Sequence, residues 1–202
     1  MSRSQSLLPA LAGLVALTAL SGCVAPVGPV EVTRFHAADI APLGQGTIRV
    51  APAQGQTETM EWRSFAGAVA RELTRVGYKE LLPGETKSRQ VALMRLERMR
   101  YQPSRDGSPV SVGVGGSTGS FGSGVGVGVG FDLSGPPPEQ VETRMDVTIV
   151  DAASGKHLWE GRARFTVRAS SPLAQTSLGS AKMAEALFKG FPGTSGETIL
   201  VK

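Results

Sequence analysis

Two kinds of alternation run along this chain, and they differ in what fills the second position. Val141, Thr143, Met145, Val147 and Ile149 alternate with Glu142, Arg144, Asp146 and Thr148. After a turn at Asp151 to Gly155, Trp159, Ala163, Phe165 and Val167 alternate with Glu160, Arg162, Arg164 and Arg168. Period two with one apolar face predicts two half-buried antiparallel strands joined as a hairpin. Outward acids and bases on such neighbours can pair across the strands for about 0.2–1 kcal/mol each. That pairing accounts for the arginine cluster without an anion site.

The second alternation lies between Pro109 and Gly135. Val110, Val112 and Val114 alternate with Ser111 and Gly113. After a Gly/Ser-rich bend, Val125, Val127, Val129, Phe131 and Leu133 alternate with Gly126, Gly128 and Gly130. This too predicts two strands of a hairpin. Glycine on the other face weakens each strand, and it leaves that face flat enough for a backbone or a lipid surface to approach. Three readings follow: a hairpin whose valines extend the core, an interaction surface for a partner or a second copy, and a membrane-inserted hairpin. Against the third, each valine run is shorter than the roughly 9–11 residues of a spanning strand.

The remaining elements are read from shorter signals. Val30 to Phe35 and Gly46 to Ala51 predict two strands. Trp62, Phe65, Val69, Leu73 and Val76 recur at helical spacing, with Arg63, Arg71, Glu72 and Arg75 off the stripe and Gly77 as a stop. Gln90 to Tyr101 is read as a strand with a bulge near Arg95, a short helix being the alternative. Ser171-Pro172 opens a last helix with an apolar stripe of Ala181, Ala184, Leu187, Phe188 and Phe191. Thr198 to Val201 returns as a final strand. Strands grouped apart from helices predict a two-layer α+β domain, a mostly antiparallel sheet with two helices on one face and a Gly/Val-rich β-hairpin.

The N-terminus changes the picture. Arg3 precedes an uncharged run from Leu7 to Leu20, too short for the roughly 20 residues of a membrane helix. Leu20-Ser21-Gly22-Cys23 follows and carries the only cysteine. This resembles a bacterial lipoprotein signal. The resemblance implies removal of residues 1–22 and transfer of diacylglycerol to the Cys23 thiol, with palmitate-type acyl chains, so that the protein meets the membrane through lipid on Cys23. More than one chain, at about 0.8 kcal/mol per buried CH₂, makes the anchor stable. Val24 after the cysteine, in place of the Asp that retains enteric lipoproteins at the inner membrane, implies an outer-membrane, periplasm-facing location. Residues 23–29 then form a Pro/Gly tether, and residues 30–202 a single domain with residues 110–135 as its insert.

Composition excludes more than it assigns. The 202 residues less 22 leave 180, one domain's worth of chain. The net charge of +4 is small and its acids are interspersed, so no nucleic-acid partner is expected. With Cys23 lipidated, no thiol is left for a disulfide or a thiolate metal site. Gly115 to Gly119 matches G-x-S-x-G but lacks a following helix. The glycine run at Gly122 to Gly126 opens no helix either, as a phosphate loop must. His36 and His157 are too few for a catalytic zinc, and Glu139 and Glu142 have nothing to separate their pKa values. No catalytic residue, metal or cofactor is expected.

The opening VEVTRFH, the segments AVARELTRVGY and VDAASGKHLWEG, the Gly-rich insert and the closing ALFKGFPGTSGET resemble, over nearly the whole mature chain, the domain of unknown function 4136 family of bacterial envelope lipoproteins. That resemblance implies an envelope location and an α+β fold, and brings no catalytic residues. The expected role is a non-enzymatic binding or scaffold module, its partner another envelope protein or a second copy, through a sheet edge or through the positions Val110, Val112, Val114, Val125, Val127, Val129 and Phe131. A carrier of a small apolar ligand or lipid is the alternative, and an envelope hydrolase a third.

Overall fold

The computed structural model describes residues 27–79, 81, 87–104, 110–119, 122–131 and 135–202, with 110–119 and 122–131 described through their backbone pairing. The signal segment, Cys23 and Leu133 lie outside the described residues. The elements are β1 (Val30–His36), β2 (Ile48–Pro52), α1 (Met60–Arg75), β3 (Gln90–Tyr101), β4 (Val110–Gly119), β5 (Gly122–Phe131), β6 (Gln140–Asp151), β7 (His157–Arg168), α2 (Thr176–Phe188) and β8 (Thr198–Val201). Six strands form one sheet in the order β2-β3-β6-β7-β1-β8, and β4 and β5 form a sheet of their own. All pairings are antiparallel except β2 with β3, which α1 connects as a parallel crossover. Both helices contribute to one core with the sheet. This is the two-layer α+β architecture that the strand and helix patterns predict.

The core follows from the alternation. Val141, Thr143, Met145, Val147 and Ile149 of β6 and Trp159, Ala163, Phe165 and Val167 of β7 are all buried. α1 contributes Trp62, Phe65, Val69 and Leu73, and the Trp62 indole N–H donates to the Met94 carbonyl at 3.2 Å. Thr59 caps α1, accepting from the Trp62 N–H at 3.0 Å, a contact worth about 1 kcal/mol. The helix stops at Gly77, whose φ of +110° suits glycine and whose missing Cβ leaves room for the Gly44 carbonyl, 2.6 Å from where that atom would stand.

Four expectations need correction. β3 pairs with β6 residue for residue over its whole length, so there is no bulge near Arg95; the register shift lies between Ile149 and Val150. Ser171-Pro172 opens a 3-10 turn over Pro172–Ala174, and α2 begins only at Thr176. Ala181 is exposed, because α2 is buried along Met183, Ala184, Ala186, Leu187 and Phe188, a broad stripe wedged between the sheet and α1. Finally, β4 and β5 run straight through the stretch read as a bend: each is ten residues long, with Gly115 paired to Gly126 and Gly119 to Gly122.

Candidate functional site

The register fixes what meets at one end of the sheet. β1 starts there, with Glu31 opposite Arg164; β7 ends there, with Arg168 opposite Gln140; and β3 ends there, with Tyr101 opposite Gln140. Residues 27–29 lead into β1 at this end; they are the described part of the stretch expected to form a tether. The chain between Tyr101 and Gln140 is the insert that carries β4 and β5. The segment that enters β1 and the insert therefore leave the domain at the same end of the sheet, with β7 between β1 and β6. Val27 and Gly28 join Gln140, Thr166, Pro172 and Leu173 around a mainly apolar cleft of about 440 Å³. Gln102 donates to the Pro137 carbonyl at 3.1 Å, and Tyr101 to Gln140 at 3.4 Å, closing the root of the insert. Arg100 and Glu139 face each other across it at 3.8 Å.

Above the root, β4 and β5 pair from Val110 with Phe131 to Gly119 with Gly122. Val112 stands opposite Val129 and Val114 opposite Val127, while Gly113 stands opposite Gly128 and Gly115 opposite Gly126. Directly opposed residues share a face of an antiparallel pair. All seven positions singled out from the sequence (Val110, Val112, Val114, Val125, Val127, Val129 and Phe131) thus fall at one set of register positions, and the interleaved set holds only Gly and Ser. The G-x-S-x-G match at Gly115 to Gly119 lies inside β4, where a strand-to-helix turn is ruled out.

The sheet face away from the helices is open and polar over most of its extent, with a small apolar cluster of Ala51, Val91, Leu93 and Val150 toward β2. It carries the rows Arg95–Asp146–Arg162–Thr33 and Glu97–Arg144–Arg164–Glu31 across β3, β6, β7 and β1, and a shallow groove of about 580 Å³. The closest ion pairs run along single strands, Arg144 to Glu142 and Arg162 to Glu160, both at 2.6 Å, and the cross-strand pair Arg164–Glu142 spans 3.8 Å. Desolvation at the middle of the sheet pushes the Asp146 carboxyl above the usual carboxylate range; Arg162 and Arg95 oppose this, while Glu160 and Glu97 add to it. The face is self-neutralising, which suits solvent better than a single charged ligand.

Two arginines face the other way, into the helix layer, and no pattern in the sequence marks them. Arg34 is buried, and its guanidinium donates to the Ala186 and Leu187 carbonyls at 3.0 Å each, at the C-terminal end of α2. Burial lowers its pKa, opposed by Glu197. Arg98 binds Glu61 of α1, the Ala174 carbonyl and Thr176, tying both helix starts to β3. Both are structural ties.

The histidines lie at the opposite end of the sheet. His36 pairs with Trp159 in the strand ladder; its Nδ1 lies 2.8 Å from the Ala37 carbonyl, and its backbone N–H donates to Ser195. His157 pairs with Val150. Among the described residues, no three His, Cys, Asp or Glu side chains converge as metal ligands, and no helix is long and apolar enough to cross a membrane.

No protein-family model matches the chain. An uncharacterized protein of Zymomonas mobilis is 26% identical over 86% of this chain and 80% of its own length. Among solved structures, a PDZ domain protein from Parabacteroides distasonis aligns at a TM-score of 0.45 and 13% identity, covering 94% of this chain, which spans only 42% of that protein. A PelC dodecamer from Paraburkholderia phytofirmans aligns at 0.43 and 15% identity, over 78% of this chain and 96% of that one.

Proposed function

We propose that this chain is a non-catalytic lipoprotein of the bacterial envelope, held by lipid on Cys23 at the outer membrane and facing the periplasm, where it binds or scaffolds another envelope component. The resemblance to the domain of unknown function 4136 family agrees with this reading. The observation that carries it is the shared exit of tether and insert: a lipid at Cys23 sets the root of β4 and β5 at the membrane side of the domain. The sheet edges are poor alternatives for strand addition. β2 has five residues and ends on Pro52, and β8 has four, the short edges with which proteins block such pairing. The ten-residue edges of β4 and β5 are the long ones.

Metabolic labelling with palmitate tests the anchor. The full chain is expected to take up label and to fractionate with the outer membrane, and the Cys23→Ser chain to do neither. Label-free full chain in the soluble fraction would end this reading. The carrier reading draws on the apolar cleft at Val27, Pro172 and Leu173, whose volume falls in the range of small-ligand sites. Displacement of a fluorescent fatty acid from the purified domain would favour it.

A further inference from the structure

We propose that β4 and β5 form a membrane-spanning hairpin that closes, with the same hairpin from further copies of this chain, into a β-barrel. Length is the first argument. Ten residues per strand fall within the roughly 9–11 of a spanning strand. At about 3.4 Å per residue a strand of this length measures about 31 Å, and at a tilt of about 40° it rises about 24 Å, against an apolar band of about 25 Å in outer-membrane barrels.

Composition is the second. From Val110 to Phe131 there is no Asp, Glu, Lys, Arg or His, whereas every long strand of the main sheet carries several charged residues. The register gathers every valine and Phe131 at one set of positions, with Gly116, Thr118 and Ser123 completing that set toward Gly119 and Gly122. It leaves only glycine and serine at the other, the dyad pattern of a wall with lipid on one side and water on the other. Phe131, the last residue of β5, puts an aromatic residue at the end of the ribbon nearest the domain, where an interface would lie.

Edges are the third. Among the described residues β4 and β5 pair only with each other, so each keeps one ladder of ten residues to fill. Hydrocarbon holds no water to fill it, so a hairpin can span only inside a closed barrel. Each copy brings two strands, and the smallest such barrels have eight, so about four copies are the minimum. The occupant of those edges is therefore the same hairpin of a neighbouring copy. The inference rests on the anchoring reading for one thing, the delivery of the root to the membrane.

The test places single cysteines at Val112, Gly113, Val114, Gly126, Val127 and Gly128 of the full chain, each labelled with an environment-sensitive fluorophore in liposomes. Lipid-borne nitroxide and aqueous iodide are the quenchers. The expected result is an alternation, with nitroxide favoured at valine positions and iodide at glycine positions by roughly twofold or more. Chemical crosslinking in the same liposomes is expected to give a ladder reaching about four copies or more. Met60→Cys, exposed on the domain, checks folding and should answer to iodide alone. The set is repeated with Cys23→Ser, the anchor being scored separately by palmitate uptake. Iodide quenching at every hairpin position of an acylated chain, or a monomer without a ladder, overturns the barrel and leaves the anchor standing. Alternation in a chain that keeps Cys23 but takes up no palmitate upholds the barrel and ends the anchoring reading.

Discussion

The main sheet and the β4–β5 ribbon obey the same two-residue period but are built for different surroundings. Over Val141–Ile149 of β6 and Trp159–Val167 of β7 buried residues alternate with Glu, Arg, Asp or Thr, so along these stretches one face belongs to the helices and the other to water. In β4 and β5 the valines alternate with glycine and serine, and no charged residue stands on either face. Glycine is treated differently too. The one glycine in the strands of the main sheet, Gly161, is covered by the Trp159 ring, which lies where a Cβ would stand. The ribbon opposes glycine with glycine at Gly113–Gly128, Gly115–Gly126 and Gly119–Gly122. Alternation alone gives the geometry of a strand; the identity of the second residue says what lies outside it.

The largest expected effect is on the domain side. Trp159 is buried, stacks on Phe188 at 5.4 Å, and its indole N–H donates to the Pro192 carbonyl at 2.9 Å. Trp159→Ala should destabilise the domain by about 3–5 kcal/mol in urea unfolding. Next, one substitution can be tried in both regions. Gly161→Ala pushes a methyl into the Trp159 ring and to 2.8 Å from the Leu187 side chain, and should cost about 1–3 kcal/mol. Gly128→Ala in the ribbon should leave the thermal midpoint of the domain unchanged. Equal losses would make the ribbon part of the core and erase the contrast.

Smaller effects sharpen the picture. Arg34→Met strands the Ala186 and Leu187 carbonyls and should cost about 1–3 kcal/mol by the same unfolding assay. The smallest is a pH effect. Asp146 has a raised pKa, so the folded state holds its proton more tightly than the unfolded state, and this carboxyl lowers stability as pH rises from the ordinary carboxylate value through the folded one. Asp146→Asn should therefore be slightly more stable at neutral pH, with the gain vanishing in acid. A gain that grows as pH falls would contradict that sign.

The long alternating strands and α1 were legible in the sequence because each residue's face is set by burial. β1 alternates weakly because an arginine occupies an inward position after Val30 and Val32, and only the α2 carbonyls explain it. Arg98 likewise lies on the face of β3 that carries Ala92 and Met94, not on the solvent side, and only its partners on the helices explain it. The order of strands, with β1 lodged between β7 and β8, leaves no local trace. At the candidate site the valine positions were legible but the extent of the strands was not. Gly and Ser favour turns, whereas a backbone ladder needs no side chain at all, so a Gly/Ser run can extend a strand as easily as end one. That difference moved the hairpin from too short to span to long enough.

The central claim, that the ribbon takes its stability from membrane and neighbouring copies and not from its own domain, is tested most directly by hydrogen exchange of the β4 and β5 amides. The lipidated chain in outer-membrane vesicles is to be compared with the Cys23→Ser chain as a dilute monomer. The account predicts ribbon amides protected in the vesicles and freely exchanging in the monomer, with β6 and β7 protected in both. Ribbon protection undiminished in the monomer, or absent in the vesicles, would contradict it.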